Sequence, residues 1–171
     1  MLAGDRYMKS ERLAALTQAV GFALWQLQIL EGSTAQYFVL MEQAQPEMGE
    51  EKGNLLVEKA QRNTFGASIS QLVKTKNLPE CLLTRFQALL KERNWLVHSS
   101  RTSSQKALID DASFITLSER LEAIVEEAGK LLKEISSQSQ KFVIEKGVSM
   151  ETIESKTAQI LAEWQDHTTP Q

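Results

Sequence analysis

Leu82-Leu83-Thr84-Arg85-Phe86-Gln87-Ala88-Leu89-Leu90-Lys91-Glu92-Arg93-Asn94-Trp95-Leu96-Val97-His98 carries Leu82, Phe86, Leu89 and Leu96 at spacings of four, three and seven. Those spacings are the period of one face of an α-helix. Pro79, in the first turn where its missing N–H costs nothing, opens this helix, which runs to about His98. Upstream, Leu13, Leu16, Val20, Leu24, Leu27, Phe38 and Met41 keep the same period and predict a first helix from about Arg6 to Ala44. Gly32-Ser33 alone does not end it, whereas Gln45-Pro46-Glu47-Met48-Gly49 does, because Pro46 disfavours helical torsions at Gln45. A second helical stretch covers about Gly53 to Lys76, broken near Asn63-Thr64-Phe65-Gly66, and buries Leu55, Leu56, Phe65, Ile69, Leu72 and Val73. Downstream, Ser99 to Ser104 reads as a polar loop. From Ser113 or Thr116, Leu117, Leu121, Ile124, Ala128, Leu131, Ile135 and Phe142 define a helix that Gly147 stops. A last helix, about Ser149 to Trp164, presents Ile153, Ile160, Leu161 and Trp164.

Composition agrees with an all-α chain. The 171 residues suit a single domain, 1–171, and contain only 8 Gly and 3 Pro, too few turn formers for a sandwich or barrel. Four to five amphipathic helices with short connections pack most simply as an up-and-down bundle. A 35-residue helix would span about 50 Å, more than a bundle of this mass needs, so either the long helices bend or the overhang packs on a second copy, and the number of apolar positions favours the homodimer. The formal charge of −3 excludes a global basic field, and any nucleic-acid contact must be local. One cysteine, Cys81, and two histidines, His98 and His167, exclude an internal disulfide and argue against a zinc centre; no cofactor is expected. The apolar run Val20 to Leu30 is about half of a membrane span, and Met1 to Ser10 lacks a signal-peptide core. A cytoplasmic protein without a membrane partner is the expectation.

Chemistry enters where polar side chains interrupt the apolar stripes. Arg93 occupies the gap in the Leu82–Leu96 seam, so its guanidinium must meet a carboxylate, reach a water-filled cleft or await an anionic ligand. Glu31 falls on the stripe of the first helix where an apolar residue belongs, and an inward acid and an inward Arg predict a Glu31–Arg93 pair. Asn94 and His98 are four residues apart, close enough for Asn94 to hold the imidazole. From Arg85 to Lys106 there are five basic residues and one acid, a local excess that suits phosphate; Lys91, Arg101 and Lys106 are its weaker RNA-binding candidates. The ordinary readings are a dipole-complementing His, a snorkelling Arg and a core or interface Trp95. No Gly-rich phosphate loop, Gly-x-Ser-x-Gly elbow or paired-histidine motif occurs.

Arg93-Asn94-Trp95-Leu96-Val97-His98 resembles the Arg-x4-6-His signature of the HEPN (higher eukaryotes and prokaryotes nucleotide-binding) superfamily, with Asn directly after the Arg as in many members. The resemblance covers roughly Leu13 to Phe142 and implies an all-α, dimeric fold with this signature near the end of a late helix. It implies a metal-independent endoribonuclease: a toxin, a phage-defence effector or an RNA-processing factor, with RNA as substrate and an antitoxin or regulatory protein as partner. In that reading Arg93 stabilises the phosphorane charge, Asn94 orders the site and His98 serves as general base or acid on the ribose 2′-hydroxyl. Ser100 stands where some toxin members carry a Tyr that a nucleotidyltransferase antitoxin modifies, so the resemblance does not extend to that control. The rival is a non-catalytic module that binds nucleotide or a protein partner, with Arg93 to His98 a structural cluster in the dimer interface; a purely structural bundle is a third reading. An open cleft at Arg93 and His98 favours the nuclease, and sequestration of Arg93 by Glu31 without a groove favours the module.

Overall fold

Seven α-helices, and no strand, are found among the residues that this computed structural model describes: 3–45, 47–75 and 78–167. They are α1 (Ala3–Glu42), α2 (Glu50–Gln61), α3 (Phe65–Thr75), α4 (Glu80–His98), α5 (Ser100–Ala107), α6 (Asp111–Glu145) and α7 (Met150–His167). Two compact units are present, Met1–Ile135 and Ser136–Gln171, the division falling within α6.

In the first unit α1 packs against α2, α3, α4 and α5, α3 packs on α4, and α4 on α5. The seam read from the sequence is the buried side of α4: Leu82, Phe86, Leu89 and Leu96 are each at most 4% exposed. They meet Leu27, Leu30, Tyr37 and Phe38 of α1, Phe65, Ile69 and Leu72 of α3, and Leu117 to Ile135 of α6 in one apolar core. Phe65 and Phe86 touch edge to face, with ring centroids 6.2 Å apart. Thr34, buried on the α1 stripe, returns its hydroxyl to Leu30 O at 2.7 Å, so that no polar atom is stranded there.

Boundaries follow local chemistry. Gly32-Ser33 leaves α1 unbroken, and α1 ends before the turn containing Gly49 at φ 80°. Pro46, the residue expected to stop it, lies outside the described residues, as does Asn77. The break in the second stretch falls at Arg62 to Thr64, and Thr64 Oγ1 accepts the Ala67 N–H at 3.2 Å as α3 begins. Pro79 is the cap before α4 rather than a residue of its first turn. Asp110 caps α6, accepting the Ser113 N–H at 2.7 Å, so this helix starts slightly earlier than its apolar pattern suggests.

Several expectations are corrected. The loop foreseen at Ser99 to Ser104 is largely helix α5. Serines disfavour helix interiors when their hydroxyls compete with the backbone. Here Ser100 Oγ donates to Leu96 O at 2.6 Å and Ser104 Oγ to Ser100 O at 3.0 Å, while Ala107 is fully buried and anchors the helix on the core. Leu55 and Val73, expected inside, are 59% and 40% exposed, and Leu13 is 53% exposed. Each lies off the side of its helix that reaches the core, and periodicity alone does not say how wide the covered stripe is.

Met8–Glu42 of α1 is, by length and composition, long and apolar enough to cross a membrane, with a mean hydropathy of 1.4 in an 18-residue window. The run Val20 to Leu30, itself interrupted by Gln26 and Gln28, underestimated it, because the hydropathy average tolerates Gln, Ser and Thr. One side of this helix, with Leu16, Ala23, Leu27 and Leu30, is buried in the chain's own core; Phe22 and Trp25 on another side are about half exposed and touch each other at 6.0 Å.

The second unit contains the end of α6 and α7. Gly147, at φ 92°, closes α6 as expected, with Val148 N–H bonded to Val143 O at 3.1 Å. Ser149 Oγ accepts the Thr152 N–H at 3.2 Å and starts α7. Ile160, Leu161 and Trp164 of α7 are exposed and Ile153 is half-buried.

Candidate functional site

The gap in the α4 seam is filled as its chemistry requires. Arg93 sits between buried Leu89 and Leu96, and its Nε donates to Glu31 Oε1 of α1 at 3.0 Å. The side chains are 30% and 26% exposed, so the pair is neither fully solvated nor sealed. Charge complementarity between two interrupted stripes was legible in the sequence, and the structure brings those two residues together. Arg93 Nη1 lies 3.5 Å from Asn94 Oδ1, a long contact, and Nη2 makes no hydrogen bond among the described residues. The guanidinium is therefore tethered by one edge with donors left over for an anion.

His98 is the last residue of α4, exposed, and without a hydrogen bond or ion pair among the described residues. Asn94, expected to hold its ring, is turned toward Arg93 instead, because a permanent cation one residue away is the stronger donor. Ser100, two residues on, has its hydroxyl engaged by Leu96 O.

Sequence reading missed a second polar cluster beside the motif. Arg120 of α6 donates to Glu92 through Nε at 2.7 Å and Nη2 at 3.2 Å, and its Cζ lies 3.4 Å over the Trp95 ring. A forked ion pair thus covers one face of Trp95, which is half-buried against the core and has that face closed to a stacking base. A signal existed: Arg120 follows Leu117 by three and precedes Ile124 by four, on the flank of the α6 stripe.

The basic patch is smaller in space than along the chain. Arg85 is gripped by both oxygens of Glu127, at 2.7 and 3.1 Å, and this hydrogen bonding holds its pKa above the ordinary arginine value. Arg93 is paired with Glu31 and Glu92 with Arg120. Lys91, Arg101 and Lys106 remain exposed without an ion pair among the described residues, the last two on α5 rather than on a loop. Hollows of about 540, 450 and 320 Å³ in this unit are lined by residues other than Arg93 and His98, although Glu31 lines the smallest. Among the described residues no group of His, Cys, Asp and Glu could hold a metal ion. In comparisons with known proteins, no family model, no curated protein and no solved structure matches this chain.

Proposed function

We propose that the protein is a metal-independent endoribonuclease of HEPN type, a homodimeric helical bundle in which two copies bring their Arg93 and His98 together on one cleft. The observation that carries this reading is the state of the two side chains: a guanidinium anchored on the helix seam by Glu31 with donors unspent, and an unengaged imidazole at the end of the same helix. A histidine exchanges protons near neutral pH, and a fixed guanidinium binds a phosphate that gains charge. His98 would take the proton of the ribose 2′-hydroxyl as the 2′-oxygen bonds to phosphorus. The bond from phosphorus to the 5′-oxygen breaks, and that oxygen leaves with a proton from the second copy's His98, giving a 2′,3′-cyclic phosphate and a 5′-hydroxyl. Arg93 would hold the extra charge on the phosphorane. Lys91, Arg101 and Lys106 would contact flanking phosphates, and Phe22 with Trp25 supplies apolar surface of the kind that self-association buries. A toxin, phage-defence or RNA-processing role in the cytoplasm, with an antitoxin or regulatory partner, belongs to this reading.

A second reading, a non-catalytic module binding nucleotide or a protein partner, is favoured by two observations: Glu31 already answers the Arg93 charge within a single chain, and neither Arg93 nor His98 lines any of the hollows described above. Incubation of purified protein with a mixed RNA pool, with and without EDTA, separates the two. Arg93→Ala and His98→Ala should each lower cleavage by about 10² or more while helicity stays intact, and EDTA should change nothing. Unchanged cleavage in both variants ends the catalytic reading; absence of cleavage by the wild-type dimer favours the module.

A further inference from the structure

Two forked ion pairs tie α4 to α6. Arg85 of α4 donates to both oxygens of Glu127, at 2.7 and 3.1 Å, and Glu92 of α4 accepts both bonds of Arg120, at 2.7 and 3.2 Å. The partners stand seven residues apart on each helix and in opposite order, so the two helices run antiparallel and their pairs match turn for turn. The polarity is reversed between them, with the cation on α4 in the first and on α6 in the second. The first pair lies about 10 Å along α4 from the second. The second lies at the motif: Glu92 immediately precedes Arg93, and the same Arg120 places its Cζ 3.4 Å over the Trp95 ring.

The rotation of α4 about its own axis is what this second fork controls. At about 100° per residue, Arg93 and His98 point about 140° apart, so one phosphate meets both only near the bisector, on the side where Asn94 and Val97 lie. Glu92 and Trp95 fall on the opposite side. Arg120 therefore grips the back of α4 and leaves the front open, while Glu31 holds Arg93 from α1 at 3.0 Å. Consecutive residues are thus tied to two different helices, and α4 cannot turn without stretching one tie. Side-chain heads stand about 5–6 Å from a helix axis, so a turn of about 10° carries them about 1 Å, one group toward the bisector and the other away from it. A misplacement of that size can cost about 10²-fold in rate.

The geometry points to Arg120 as a positioning residue of the proposed ribonuclease: by clamping Glu92 and Trp95 it sets the rotation of the last two turns of α4, and so the aim of Arg93 and His98. Its Nε and Nη2 are spent on Glu92 behind the helix, and it acts through α4 rather than on RNA. The effect on rate rests on the nuclease reading, whereas the control of His98 does not, and the two have separate readouts.

Arg120→Met keeps an apolar stem over Trp95 and removes the fork; Glu127→Ala removes the other fork between the same helices and controls for lost stability. RNA cleavage by the full-length protein is measured as kcat and KM at a temperature where every variant is folded. The Cε1–H resonance of His98, assigned by its loss in His98→Gln, is followed by NMR at one pH. Arg120→Met should lower kcat about tenfold or more with KM held within about twofold, and should move the His98 resonance, because Trp95 is its neighbour three residues back on the helix surface. Glu127→Ala should do neither. Exchanging the charges, Glu92→Arg with Arg120→Glu, should restore most of kcat, since the Arg85–Glu127 pair already has that polarity between these helices, whereas either half alone should not. Unchanged kcat in Arg120→Met, an equal loss in Glu127→Ala, an exchanged pair no better than its halves, or a His98 resonance that stays put in Arg120→Met overturns the proposal. A wild type that cleaves no RNA ends the nuclease reading, and the resonance alone then decides: movement in Arg120→Met but not in Glu127→Ala upholds the control of His98 by Arg120.

Discussion

Removing the Glu31 carboxylate leaves Arg93 half-buried beside Leu89 and Leu96 with no acid to answer it, and the size of the loss can be bracketed from the geometry. Two unit charges about 4 Å apart attract by about 4 kcal/mol in a medium of effective dielectric 20, before the cost of desolvating them. Fully exposed pairs retain about 0.2–1 kcal/mol of this, whereas breaking a fully buried pair costs about 3–5 kcal/mol. With exposures of 30% and 26% and a contact of 3.0 Å, the pair lies between those limits. Glu31→Ala should therefore cost about 1–2 kcal/mol, a fall of roughly 2–8 °C in Tm for a chain of this length. Part of that loss is the stranded guanidinium, so adding Arg93→Ala should cost less in the Glu31→Ala background than in the wild type. Urea unfolding of the two single variants and the double variant closes the cycle, with a coupling of about 1 kcal/mol at low salt that shrinks in 1 M NaCl. A coupling below about 0.3 kcal/mol, or one indifferent to salt, would refute the claim that this ion pair holds the seam gap together.

Arg120→Ala removes the fork on Glu92 and uncovers Trp95; about 1–3 kcal/mol of stability should be lost with a red shift in tryptophan emission, and Arg120→Lys should recover only part because it lacks the planar fork. Ser113, through its hydroxyl and its N–H, holds the Asp110 carboxyl below the usual aspartate range. The stability this contributes is present above the unfolded aspartate pKa and fades as pH falls through the lowered folded value. The unfolding midpoints of wild type and Asp110→Asn should therefore differ at pH 7 and converge in strong acid; a gap that widens on acidification would reverse the sign. Phe22→Asp with Trp25→Asp should convert the expected dimer to a species of 19.2 kDa in light scattering without loss of helicity, and an unchanged mass would place self-association elsewhere or exclude it.

The α4 seam was readable because a helix with one buried face leaves a period in its sequence, and Leu82, Phe86, Leu89 and Leu96 are all buried. The same logic exposed Glu31 and Arg93 as intruders, and opposite charges on two core-facing stripes have few other places to go. Serine-rich α5 was not readable, since its helical state rests on hydroxyls returned to preceding carbonyls and on Ala107 reaching a core that composition does not reveal. The partner of Asn94 was misjudged for a related reason: spacing shows which side chains can meet, and competition among donors decides which do.

By itself, then, the order of residues determined an all-helical chain, most helix limits, and a guanidinium and an imidazole near the end of α4. Only the tertiary structure decided that Glu92 belongs to Arg120 and that Arg85 belongs to Glu127. Helical periodicity is a local property, set by bond geometry over a few turns. Pairing between distant charges and the shape of a hollow depend on how separate helices are rotated and seated against one another, and that is settled by packing of the whole core.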